Sequence, residues 1–280
     1  MPATASATRS SASVQGTMTF LVDTGEKPVT YPDQQLTGGA RMTGTYEERL
    51  VTVNDGRRIR DRLSLDEQGF LLLDNPTRVK NFYDEEELRA VCYPEVDALV
   101  KKITGANKVV IFDHTIRVED LGKRQERNVR APVHSVHNDY TDWSAPKRVR
   151  DLLPADEAEE RLRGRYLFLN VWRPIIGPVE SFPLVLCDAR SMGPRDFVAA
   201  DHIYDGGRRG ETYRMAFNPS QQWYYFPRMR TDEVVIIKCF DSMTDGRARY
   251  SGHGAARLTT PPPPGASPRE SIEIRTIAFL

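Results

Sequence analysis

The chain has 280 residues, with 39 basic and 39 acidic side chains and therefore no formal net charge. That balance argues against a nucleic-acid surface, which needs a basic excess, and no apolar run approaches the ~20 residues of a membrane-crossing helix. Hydrophobic residues at 39% and charged residues at 28% suit a soluble globular protein. Three scattered cysteines, Cys92, Cys187 and Cys239, form no CxxC pair and no disulfide framework, so a reducing compartment, the cytoplasm, is expected. The first stretch, up to about Gly16, is rich in Ala, Ser and Thr and lacks the apolar centre of a signal peptide. A disordered tail over 1–16 is expected there.

In chain order, residues 18–23 and 47–53 read as strands, the second ended by the turn signal Asn54-Asp55-Gly56. A short apolar strand follows at 69–73. Residues 84–104 carry Leu88, Val91, Val96, Leu99, Val100 and Ile103 mostly at steps of three and four, which predicts a helix. Acids crowd its front and Lys101 and Lys102 its back, as the helix dipole favours. Gly105 supplies a stop, and Pro94 should split or kink the helix. Its expected role is to cover a sheet.

Residues 108–118 are strand-like, 123–130 read as a charged loop, and 147–165 as a surface helix or helix pair. Beyond that, short strands are expected at 165–173, 182–188, 212–217, 222–226, 233–241, 249–253 and 271–280. A stiff, exposed proline-rich linker at 261–265 precedes the last. Such spacing argues for a sandwich or barrel. The fold class is therefore mainly β with flanking helices (α+β), and one domain is expected over 17–280. Within it, 17–130 supply N-terminal strands and helices, and 131–280 a β core with a helical insertion near 147–165.

Chemistry concentrates at His137-Asn138-Asp139. In extended chain the side chains of His137 and Asp139 share one side. With one distant histidine they make a 2-His-1-carboxylate face, which holds Fe(II) and leaves coordination positions open. His253 fits that role, late in the chain between Gly252 and Gly254, whose small size leaves room for the ring. Arg269 and Ser271 lie two apart on one strand face. A guanidinium fork with a hydroxyl beside it suits the distal carboxylate of 2-oxoglutarate, and O2 would take a remaining iron position.

Other residues admit two readings. Arg275, in phase with Arg269, is a second carboxylate anchor or an ion-pair partner of Glu273 or Asp188. Asn170 and Trp172 line the pocket beside 2-oxoglutarate or substrate, or are a structural amide and a core indole. Tyr140 and Trp223, with Trp143, Tyr224 and Tyr225, wall a substrate cavity or fill the core. His134 and His114 read as supporting residues and His202 as part of a surface loop. The basic run 147–150 reads as solvated surface, with steering of an anionic substrate as the alternative. A homodimer stays open.

At these residues the chain resembles the fungal and bacterial natural-product hydroxylase/desaturase family typified by AsaB, gibberellin desaturase and the cephamycin methoxylation component. The resemblance covers about residues 45–280. It is strongest at Val136-His137-Asn138-Asp139-Tyr140, at Gly164-Arg165-Tyr166 through Ile175, at Trp223-Tyr224-Tyr225 with 232–242, and at Pro268-Arg269-Glu270-Ser271 through Arg275. It implies a double-stranded β-helix (jelly-roll, cupin-like) core. It also implies Fe(II), 2-oxoglutarate and O2, with His137, Asp139 and His253 as iron ligands and Arg269 as the cosubstrate anchor. The implied reaction is C–H abstraction leading to hydroxylation, desaturation or oxidative cyclisation of a small secondary metabolite. The alternatives are a cupin-like metal enzyme that uses no 2-oxoglutarate and a non-catalytic component of a biosynthetic complex.

Overall fold

The structure is a computed structural model that describes residues 12–31 and 41–280. Two sheets form its centre. The minor sheet runs in the order Phe70–Asp74, Glu233–Asp241, Tyr166–Pro174, Glu270–Phe279, Lys108–Val118, with every neighbour antiparallel. The major sheet has eleven strands. Its middle is Leu184–Cys187, His253–Ala255, His137–Asn138, Arg209–Met215 and Phe197–Ile203, in that order. The sheets pack face to face as the expected jelly-roll core.

Alternation along the minor sheet sorts its side chains. Leu167, Leu169, Val171, Ile272 and Ile274 fall on one face and pack against Val96, Leu99 and Val100 of the helix Tyr93–Thr104. Trp172, Phe168, Val235 and Ile237 fall on the other, against Leu184 and Leu186 of the major sheet and Phe226 just beyond it. Burying each such side chain stabilises the fold by about 1.5–3 kcal/mol relative to leaving it exposed. Asn170, Ser271, Glu273 and Arg275 share that inner face through direct register pairs. The same two-residue period that builds the core thus points a polar column between the sheets.

The covering helix is as expected. Gly105 ends it in the left-handed conformation at φ 74°. Pro94 starts its last segment, and the chain just before it, Leu88–Cys92, widens into a π-helical turn. A proline has no N–H to give to the preceding turn, so the hydrogen-bond ladder changes there.

Three expectations need correction. The tail predicted over 1–16 lies outside the described residues as far as residue 11, but Ser13–Val22 is a strand paired with Thr45–Asp55 along its whole length. Backbone pairing needs no apolar side chain, so Ser- and Gly-containing strand ends escape a composition reading. The charged loop at 123–130 is largely the helix Leu121–Arg127, capped by Asp120, whose carboxylate accepts from the Lys123 N–H, and closed by Asn128 in the left-handed region. The strand at 249–253 begins only at His253. Of the helical insertion, Ser144–Leu152 and Ala155–Leu162 form a pair. No helix among the described residues is long and apolar enough to cross a membrane.

Candidate active site

His137–Asn138 is a two-residue strand held between two others. His253 is the direct antiparallel partner of His137, and Arg214 is its partner on the opposite side. The two imidazoles therefore meet, with ring centroids 4.6 Å apart. Asn138 is fully buried and ties the strand across to the minor sheet. Its Nδ2 donates to the carbonyls of Tyr140 (2.7 Å) and Cys239 (2.8 Å). Cys239 sits where the register of Glu233–Asp241 shifts, so its carbonyl is free of the regular ladder.

Each histidine is oriented by the carbonyl two residues before it. His137 Nδ1 lies 2.9 Å from Ser135 O and His253 Nδ1 lies 2.9 Å from Ser251 O. A carbonyl only accepts, so Nδ1 carries the proton and Nε2 keeps its lone pair. Nε2 of His137 is 3.5 Å from Asp139 Oδ1. One donor atom from each of His137, Asp139 and His253 lies within 4.8 Å of the other two. Two imidazoles and one carboxylate on a common point suit Fe(II) with open positions.

Protonation states agree with that chemistry. Burial, the largest influence, holds the His137 ring below its ordinary pKa. For Asp139 burial acts to raise the pKa, but the Arg275 guanidinium and the two histidines outweigh it and hold the carboxyl well below the usual range. Neutral imidazole and ionised carboxylate are the forms a metal ion binds.

The minor sheet aims Asp139. Its Oδ2 accepts from Asn170 Nδ2 at 2.7 Å and from Arg275 Nε at 3.2 Å. Asn170 and Arg275 are themselves cross-strand partners. Arg275 also bonds Asp113, Thr115 and Glu273. Its donors are spent on three carboxylates, so of its two sequence readings the ion-pair partner is the one found.

Arg269 is different. Only 4% of it is exposed. Nε donates to Ser271 Oγ at 3.2 Å, Nη1 to the Phe182 carbonyl at 2.6 Å, and the guanidinium lies over the Trp172 ring at 5.0 Å. No carboxylate among the described residues forms an ion pair with it. Burial, then the nearby Arg117 cation, push its pKa down to about 9. Arg117 stands opposite Ser271 in the register of the neighbouring strand.

A cavity of about 460 Å³ opens onto His137 and Asp139. Tyr140, which also packs in the inner core, lines it, as do Arg275 and Arg117. Trp172 serves as the platform under Arg269 and belongs to the inner core. Trp223 is a correction: it is 1% exposed and packs with Phe20 and Val53 in a separate core cluster, away from the cavity. An indole this large supplies much of the apolar volume a core needs. His114 bonds the Tyr93 hydroxyl at 2.7 Å, and His134 packs edge-on against Phe182; both fit supporting roles.

Three cavity residues escaped the sequence reading. His202 belongs to the strand Phe197–Ile203, not to a surface loop, and lines the cavity with Nε2 3.0 Å from Thr212 Oγ1. Arg214 and Arg117 line it too. The available signal was alternation: Thr212 and Arg214 share one face of a strand, and Arg117 punctuates an otherwise apolar strand end.

Comparison with known proteins agrees with this geometry. The family described as "Oxidoreductase/YMDC permease-like domain" matches residues 18–279. The hydroxylase/desaturase EfuI of Hormonema carpetanum is 34% identical over 263 residues, covering 86% of each chain. The hydroxylase/desaturase AsaB of Aspergillus flavus is 30% identical over 202 residues, covering 65% of this chain and 87% of the relative. The solved structure of NvfI, an iron and alpha-ketoglutarate-dependent endoperoxidase, superposes with a TM-score of 0.83 at 28% identity, covering 96% of this chain and 98% of that one. The chain belongs to the AsaB-like hydroxylase/desaturase family and is a 2-oxoglutarate-dependent oxidoreductase that uses Fe(II) and O2.

Proposed function

We propose that His137 and His253, through Nε2, and Asp139 hold the catalytic Fe(II), and that Arg269 with Ser271 binds the far carboxylate of 2-oxoglutarate. The substrate is a small molecule of natural-product biosynthesis, oxidised at an unactivated C–H bond. The observation that carries this reading is the cross-strand His137–His253 pair with Asp139, held ionised, beside it.

When bound, the iron and cosubstrate supply the oxidant, with O2 consumed and succinate and CO2 released. The chain's own residues position and shield. The Ser135 and Ser251 carbonyls keep Nε2 of each histidine turned to the common point. Asn170 and Arg275 occupy Oδ2 of Asp139, which leaves Oδ1 toward the metal. Among the described residues the buried Arg269 guanidinium has no ion-pair partner, and a buried cation is costly until it gains one. A dicarboxylate cosubstrate supplies it. Tyr140, Thr212 and His202 shape the cavity above, and closure around the substrate limits water.

Hydroxylation, desaturation and oxidative cyclisation share this first abstraction and differ in where the carbon radical is held afterwards. The three free, buried thiols Cys92, Cys187 and Cys239 support a reducing, cytoplasmic setting. The test is incubation of the purified chain with Fe(II), O2 and a panel of terpenoids, polyketides and amino acids. Succinate release that requires 2-oxoglutarate is expected. Turnover of a panel member without 2-oxoglutarate would favour the cupin-like alternative. No succinate from the chain alone, but release on adding a biosynthetic partner protein, would favour the component reading.

A further inference from the structure

The cavity wall holds a cation that neither the metal face nor the cosubstrate anchor uses. Arg214 is 6% exposed, lines the cavity, and sits in direct register beside His137. Among the described residues its one side-chain hydrogen bond runs from Nη2 to Thr30 Oγ1, at 3.2 Å, and its Nε is buried without a partner. Among the described residues no carboxylate pairs with it, whereas other basic residues of this wall are committed: Arg275 to Asp139, Arg209 to Asp201 and Lys147 to Asp151. Thr30, its hydrogen-bond partner, is itself buried and neutral.

Among the described residues a guanidinium this buried loses hydration and gains one neutral hydrogen bond and the attraction of the Asp139 carboxylate, with which it forms no ion pair. Such an arrangement is unfavourable on its own and becomes favourable when an anion enters. Arg117 and Arg130, which line the same cavity, likewise form no ion pair with a carboxylate among the described residues, so more than one cation there can meet an entering anion. The cosubstrate is already provided for at Arg269, which lies outside this cavity wall. The planar fork of Arg214 suits a carboxylate, and its place beside His137 sets that carboxylate next to the metal face.

We propose that Arg214 is a specificity residue: the substrate of this oxygenase carries a carboxylate, which Arg214 binds and which fixes the substrate's orientation over the His137–His253 face. The proposal rests on the reading of the metal and cosubstrate sites given above, yet is separable from it, because it concerns which molecules enter the cavity.

The test uses the whole chain, loaded anaerobically with Fe(II) and 2-oxoglutarate. Calorimetry measures binding of a panel of aromatic and C10–C20 carboxylic acids, each beside its methyl ester. The chelate's charge-transfer band, followed separately, reports cosubstrate binding. At least one acid should bind the wild type at least about 30-fold more tightly than its ester. That preference should vanish in Arg214→Gln and survive in part in Arg214→Lys, which keeps the charge and controls for folding. Equal binding of acids and esters, binding of none of the acids by the wild type, or a preference unchanged in both variants would overturn the proposal. If Arg214→Gln instead weakens 2-oxoglutarate binding as strongly as Arg269→Gln does, the anion at Arg214 is the cosubstrate, which also overturns it. Loss of the charge-transfer band with acid preference intact would instead count against the cosubstrate reading alone.

Discussion

His137 and His253 are direct cross-strand partners in the major sheet, their rings 4.6 Å apart and each Nδ1 bonded to the carbonyl two residues earlier. More than a hundred residues of chain separate them, and one backbone register brings them together. The proposed metal face thus draws both of its histidines from one sheet pairing.

Replacing a ligand should abolish iron binding without unfolding the sheet. His253→Ala and His137→Ala each remove one Nε2 donor, and Asp139→Ala removes the anionic one. Anaerobic Fe(II) titration should show at least about 100-fold weaker binding in each, since supporting contacts alone are worth 10- to 100-fold. Near-native Fe(II) affinity in Asp139→Ala would show that the carboxylate belongs to another structure.

Asn170 positions Asp139 without touching the metal point. Asn170→Ala removes the shorter of the two bonds to Oδ2 and should weaken Fe(II) binding by about 10- to 100-fold, with 2-oxoglutarate affinity of the loaded enzyme much less affected. An Asn170→Ala variant with raised KM for 2-oxoglutarate and unchanged iron affinity would place the amide beside the cosubstrate instead.

Arg269 and Arg275 should separate cleanly. Arg269→Gln removes the cosubstrate's proposed partner and should raise the Kd for 2-oxoglutarate by about 30-fold or more, with Fe(II) affinity kept. Arg275→Gln leaves Asp113, Glu273 and Asp139 without their shared cation. Breaking such a buried network costs on the order of 3–5 kcal/mol, so it should lower the melting temperature sharply. The reverse pattern would exchange their roles.

His202 should make the metal-free protein acid-sensitive. Burial, reinforced by Arg214, lowers its pKa from 6.5 to about 4. Between those values the unfolded chain binds more protons at this ring than the folded one. Stability therefore rises with pH through that window and is lost as pH falls through it, by up to about 3 kcal/mol. Denaturant titrations from pH 7 to 4 should show a shallower loss in His202→Gln than in the wild type.

Local pattern carried much of this protein. The strands Lys108–Val118 and Glu233–Asp241 are legible to the residue because β-branched and aromatic side chains fill them. Gly105, the His-Asn-Asp motif, and the Arg269 and Ser271 pair were equally readable from spacing. Missed features are those set by distant register. The strand Phe197–Ile203 mixes charged and small residues, so His202 passed as a loop residue until its pairing with Arg209–Met215 placed it in the cavity wall. The bond from Asn170 to Asp139 depends on how two sheets face one another, which no window of sequence contains. The helix Leu121–Arg127 was hidden by charge, although its cap, Asp120, stood in plain view.

The most direct test of the metal and cosubstrate assignment is an anaerobic absorption titration of the Fe(II)-loaded chain with 2-oxoglutarate. A weak metal-to-ligand charge-transfer band should grow and saturate at one equivalent of cosubstrate. It should be absent in Asp139→Ala and need far more 2-oxoglutarate in Arg269→Gln. No band in the wild type, or the same band in Asp139→Ala, would contradict the account.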